Sequence, residues 1–211
     1  MGERARERRI IAYHTAGCTV VVRKLGLEII GVNITPDLEV IVYHRSATQV
    51  ALAIGEDRAA LARGLYTDVM VRTAGTAAQK LVGCPADDDI AAFEYADRLA
   101  CLEAGWPLRS LRLDPDQPRG PILQKYEDED DEAVRRIFLE AGFELVPDEL
   151  PELTLYSQEL RDASSAIVDR AEKETTALLQ ADWPIVVRVA GVLAKRDRLS
   201  QEELDHVIAR G

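Results

Sequence analysis

From Glu3 to Leu25, the positions Ile10, His14, Gly17, Cys18, Val21 and Leu25 recur three and four residues apart. This spacing predicts one long helix with a single inward face, stopped by Gly26. Two β-rich runs follow, Leu27 to Ile34 and Leu38 to Tyr43. They are joined through Thr35-Pro36-Asp37, which predicts a short antiparallel pair. A second long helix is expected from Glu56 to Val82, with Leu61, Leu65, Val69 and Leu81 facing inward and Gly83-Cys84-Pro85 as its end. Asp87 or Asp88 can cap the next helix, which reaches about Ala104 and closes at Gly105-Trp106-Pro107. Farther on, helices are expected over Tyr156 to Gln180 and, capped by Asp182, over Trp183 to Lys195, with Pro184 near a start where its missing N–H costs little. Ser200 and Glu203 have capping-box spacing ahead of a last helix carrying Leu204, Val207 and Ile208. The pattern predicts a mainly α fold with one small antiparallel β element after the first helix, in a single domain over residues 1–211.

One stretch breaks this pattern. Residues 113–152 hold thirteen acids against four bases, a deficit of nine in a chain whose net charge is -11, and five of its nine prolines. It reads as an acidic, Pro-rich insertion within the domain, with a short helix near Asp130 to Ala141. The acidic run Glu127 to Glu132 is better explained as a solvated face than as a partner-binding surface. A chain this acidic repels phosphate backbones and has no arginine-rich stripe with interleaved aromatics, so nucleic acid is not an expected partner. No stretch approaches the ~20 apolar residues of a membrane helix. Met1 to Arg9 is charged without an apolar run, and the cysteines number three (Cys18, Cys84 and Cys101). These features together predict a cytoplasmic protein with reduced thiols.

The residues with chemical potential are His14-Thr15-Ala16-Gly17-Cys18. Side chains four apart on a helix differ by about 40° of rotation, so His14 and Cys18 can address one metal ion. Taken alone, the pair is better explained as an ordinary core histidine and cysteine. The glycine inside the helix is a second signal. It costs about 1 kcal/mol of helix propensity, and such a residue usually marks a close approach by a neighbouring backbone. His44 and His206 have no evident partners, and Cys84 and Cys101 read as buried apolar residues.

Ala12-Tyr13-His14-Thr15-Ala16-Gly17-Cys18-Thr19-Val20-Val21 resembles the segment Ala-Tyr-His-Glu-Ala-Gly-His-Ala-Val-Val of FtsH-type zinc metallopeptidases, matching at seven of ten positions. The likeness continues in order. Gly31 to Pro36 looks like that family's short strand, and Thr73 to Gly83 looks like its Gly-Gly-x-Ala-Ala-Glu helix. Asp89-Ile90 stands where the family has the Asp-Leu that supplies the third zinc ligand, and Arg170 to Ile208 is similar to its closing helices. The resemblance implies an FtsH-type zinc-peptidase-like helical domain in which His14, Cys18 and Asp89 are the residues that could hold zinc. No GxxxxGK[ST] phosphate loop is present, so this chain has no ATP site of that kind.

The departures from the family fall on the chemistry. Thr15 occupies the position of the general-base glutamate, and a hydroxyl that keeps its proton cannot activate a metal-bound water. A positioned base is worth about 10²–10⁴-fold in rate. Cys18 replaces the second histidine, and its thiolate would make the metal a poorer Lewis acid. Gln79 replaces a supporting glutamate, which weakens the shell behind the metal. The expected function is therefore an inactive pseudo-peptidase that binds a peptide or protein partner or regulates one. The alternative is an active stand-alone zinc peptidase using His14, Cys18 and Asp89, with Asp87 or Asp88 as a substitute base. The sequence does not fix the oligomeric state.

Overall fold

The computed structural model describes residues 3–34, 40–44, 46–48, 51, 57–84, 86, 90–105 and 158–209. The acidic insertion and the aspartates at 87, 88 and 89 lie outside them. The described elements run α1 (Glu3–Lys24), β1 (Ile29–Ile34), β2 (Val40–His44), α2 (Arg58–Leu81), α3 (Ile90–Glu103), α4 (Gln158–Ala181), α5 (Trp183–Leu193), β3 (Arg198–Ser200) and α6 (Gln201–Ala209). The fold is mainly helical with one small antiparallel sheet.

Helix ends fall where the sequence expectation puts them, because the stop residues satisfy the last carbonyls. Gly26 turns to a positive φ of 73°, so its N–H reaches the Arg23 carbonyl at 3.1 Å and the Leu27 N–H reaches Val22 at 3.0 Å. Gly83, at φ 72°, closes α2 in the same way, through Gly83 to Lys80 and Cys84 to Gln79, both at 3.0 Å. The capping box ahead of α6 is present. The Ser200 N–H donates to Glu203 Oε2 at 2.9 Å, and the Glu203 N–H donates to Ser200 Oγ at 3.3 Å. That backbone bond and the neighbouring Arg196 hold the Glu203 carboxyl below the usual range. Asp182 differs from expectation. It stands at the N-cap of α5, but its side chain makes no capping bond and instead pairs with Lys24 at 2.9 Å.

The sheet has the order β2-β1-β3, antiparallel throughout. Val32 stands opposite both Val42 and Leu199. Val32 and Leu199 are fully buried, which joins the C-terminal segment to the inner face of the sheet. Strand β3 is absent from the sequence expectation because it is three residues long and turns only Leu199 inward.

Two apolar cores share the long helices. One gathers Val21 and Val22 of α1, Val32 of β1, Leu179 of α4, Val186 and Leu193 of α5 and Leu204 of α6. The other gathers Leu61, Leu65 and Val69 of α2, Leu99 and Cys101 of α3, and Ile167 and Ala171 of α4. Helix α1 is therefore more enclosed than a one-faced pattern suggests. Residues 15–22 are buried without exception, whereas Ile10, His14 and Leu25 are half-buried. In α2, Leu61, Leu65 and Val69 face inward as expected, but Leu81 is half-buried.

A buried carboxylate also organises the approach to α2. Asp68 accepts from Ser46 Oγ at 2.6 Å and from the N–H groups of Ala47 and Thr48 at 3.0 Å each, capping a helical turn from a neighbouring helix. Ion pairs tie α1 to the C-terminal segment: Arg8 to Asp197, Arg23 to Asp205 and Lys24 to Asp182. They are partly or largely exposed, so each is worth about 1 kcal/mol at most and sets register more than stability.

Two glycines separate tight packing from simple helix propensity. A Cβ on Gly17 would stand 2.5 Å from Ala78 Cβ and 2.7 Å from the Ala74 carbonyl oxygen, whereas one on Gly191 meets nothing within 4 Å. Gly17→Ala is expected to destabilise by about 1–3 kcal/mol. Gly191→Ala is expected to stabilise by up to about 1 kcal/mol. Urea denaturation of the two variants measures both, and equal effects would contradict this packing.

Candidate functional site

The motif segment and the Thr73 to Gly83 stretch lie against each other. Residues 14–18 of α1 pack on residues 74–78 of α2, and at two places a glycine leaves room that an atom of the other helix fills. At Gly17, the Ala74 carbonyl and the Ala78 methyl occupy the space a Cβ would need. At Gly75, that space is filled by the His14 imidazole, whose Cε1, Nε2 and Cδ2 are the nearest atoms. The half-buried ring of His14 is thus seated over a glycine on the neighbouring helix. The glycine inside the motif helix, Gly17, pointed to close backbone approach, and the geometry there agrees.

Thr15 turns the other way, into the core. It is 0% exposed, and its Oγ1 donates to the Ile11 carbonyl at 2.9 Å. Thr19 repeats the arrangement one turn later, donating to the Thr15 carbonyl at 2.7 Å. The Thr15 hydroxyl proton is therefore held inside its own helix, sealed from water by the surrounding apolar residues. Back-bonding of this kind satisfies the hydroxyl without any partner from another element.

Cys18 is a buried free thiol one turn beyond His14. Asp89, the third residue implied by the resemblance, lies outside the described residues, as do Asp87 and Asp88. Among the described residues, no group of three or more His, Cys, Asp or Glu side chains could hold a metal ion. His14 and Cys18 provide two donors on one helix face, short of the four that structural zinc takes. The described residues alone do not make a zinc site.

The remaining candidates separate clearly. Cys101 sits in the α2–α3–α4 core, away from the core that holds Cys18. Burial, with the neighbouring Asp97, pushes its thiol up to about 11, so it is neutral and a poor ligand as it stands. Cys84 is half-buried rather than buried, just beyond the end of α2. His206 is exposed on α6, and the His44 side chain lies outside the described residues. The Gln79 carbonyl accepts from the N–H groups of Val82 and Cys84, so its backbone serves the helix end.

Two residues of consequence were not singled out from the sequence. Gly75 was visible only inside the Thr73 to Gly83 stretch of resemblance. Asp97 of α3 is an acid that burial holds above the usual carboxylate range. The available signal was a charged residue between Ala96 and Leu99, both of which are core positions. No protein-family model matches the chain, and no curated protein matches it.

Burial at Thr15 has a direct consequence. Thr15→Glu would put an unpaired carboxylate at a fully enclosed position and is expected to cost about 3–5 kcal/mol. Thr15→Val loses only the back-bonded hydroxyl and is expected to cost about 1 kcal/mol. Chemical denaturation separates the two, and a Thr15→Glu protein as stable as the parent would show that this side chain reaches solvent.

Proposed function

We propose that this chain is a peptidase-like domain that has lost hydrolysis and serves as a binding or regulatory module for a peptide or protein partner. The observation that carries this reading is the state of Thr15. A general base must lie within hydrogen-bond reach of the proton it removes, directly or through one water. The residue after His14 has no basic group, and its hydroxyl is closed onto Ile11 inside the core.

The packing of the His14 segment on residues 74–78 supports the same reading, since two of the stretches that resemble FtsH-type peptidases fall on surfaces in mutual contact. In this reading, zinc is a possible occupant of His14, Cys18 and Asp89 but is not needed for the role. Strand β2 is the outer strand of the sheet on the side away from β3, and an extended peptide can add to such an edge.

The test combines metal content with turnover. Purified protein, with and without added zinc, is incubated with casein and with short peptides, and its metal is read by elemental analysis. The expected outcome is no chelator-sensitive cleavage at any zinc loading. Cleavage at rates typical of zinc peptidases, abolished both by chelator and by His14→Ala, would overturn the proposal.

A further inference from the structure

Helices α1 and α5 run antiparallel. Lys24, at the end of α1, pairs with Asp182 ahead of α5, and Arg8, near the start of α1, donates to the Ala194 carbonyl just beyond α5. Arg6, Arg9 and Tyr13 are spaced three and four residues apart, so they share one face of α1. The Tyr13 ring stacks on Trp183 at the start of α5, with centroids 5.9 Å apart and planes 14° apart. The Arg9 guanidinium lies over the Tyr13 ring at 5.9 Å from its centre. One turn after Trp183 on the same face of α5 stands Val187, 40% exposed and the one large apolar side chain so exposed among the described residues. The antiparallel course carries it from Trp183 toward the level of Arg9 and Arg6.

Arg6 and Arg9 are exposed, and no acid among the described residues pairs with either. They belong to residues 3–9, where four arginines stand against two glutamates in a chain whose net charge is -11. Glu3 and Glu7 fall on a face turned by about 100° from the Arg6–Arg9–Tyr13 stripe, so they do not interrupt it. A guanidinium seated on an aromatic ring keeps its N–H edge available to a carboxylate. We propose that Arg6, Arg9, Tyr13, Trp183 and Val187 form a docking surface for a short acidic peptide segment with an apolar anchor. Its carboxylates pair with Arg6 and Arg9, and its apolar side chain covers Trp183 and Val187.

Charge complementarity selects this occupant. Screening at physiological salt limits exposed charges to a reach of about 8 Å, so a short peptide responds to the arginines it touches. A longer polyanion such as RNA also meets the rest of an acidic chain and is repelled by it. A bare anion would leave Trp183 and Val187 facing water, whereas an apolar side chain covers them. The surface does not include strand β2, and occupancy here does not depend on the loss of hydrolysis. Cleavage of casein and binding at this stripe are therefore read separately.

The experiment uses the full chain and a fluorescein-labelled peptide, Asp-Glu-Asp-Phe-Asp-Glu-Leu-Asp-Glu, followed by fluorescence anisotropy at about 25 and about 150 mM salt. Saturable binding that weakens with salt is expected, and it should fall several-fold when Ser replaces Phe and Leu in the peptide. Arg6→Gln combined with Arg9→Gln is expected to weaken binding several-fold more than Arg63→Gln combined with Lys173→Gln. The second pair removes the same net charge from exposed positions on α2 and α4. Val187→Ser is expected to weaken the peptide with Phe and Leu and to leave the Ser peptide unchanged. All five substituted positions are exposed, and circular dichroism checks that each variant keeps its helices. No saturable binding at low salt, equal losses for the two double variants, or tighter binding of a short single-stranded RNA of equal charge would overturn the proposal. So would a dimer, seen by light scattering, that dissociates when Arg6 and Arg9 are replaced, because the stripe would then belong to a second copy.

Discussion

The structure depends on the approach of two helix backbones. Helices α1 and α2 can pack as they do only because Gly17 and Gly75 place no side chain in the contact. The Ala74 carbonyl and the Ala78 methyl fill one gap, and the His14 ring fills the other. Helix interiors penalise glycine by about 1 kcal/mol relative to alanine, so both residues stand against local helix preference. Close backbone approach gives α1 an enclosed course through the fold, and the sheet, α4 and α5 then pack on its remaining faces.

That enclosure governs the chemistry available at the motif. A helix with one exposed face could direct the residue after His14 toward a ligand. Here, residues 15–22 are all buried, and Thr15 resolves its polarity by bonding to Ile11. His14, one position earlier, stays half-buried and rests on Gly75. The same helix thus carries one side chain that a ligand or metal could address and one that it could not. The proposed loss of hydrolysis rests on this difference between the two side chains.

Much of the architecture was legible in the sequence because its signals are local. Gly26 and Gly83 mark helix ends that only a positive φ can close, and Ser200 with Glu203 marks a helix start by reciprocal bonds three residues apart. Nonlocal features were harder to read. Strand β3 exists because Leu199 finds Val32, and no pattern in three residues announces that. Asp182 looks like a cap, yet Lys24 from a distant helix claims its carboxylate. At the candidate site, the pairing of His14 with Gly75 joins positions 61 residues apart in the chain. The sequence displayed both residues but held no cue to their contact. The burial of Thr15 was likewise hidden, because a one-faced helical pattern gives no hint that a helix will be covered on all sides.

The most direct measurement is a proton NMR search for through-space contacts between the His14 ring and the α-protons of Gly75 in the intact chain. The account predicts strong cross-peaks from the Hε1 and Hδ2 protons to both glycine α-protons, because that ring occupies the space of the missing side chain. A His14 ring without contacts to Gly75, rotating freely in solvent, would contradict the helix contact on which the fold and the proposed loss of hydrolysis both rest.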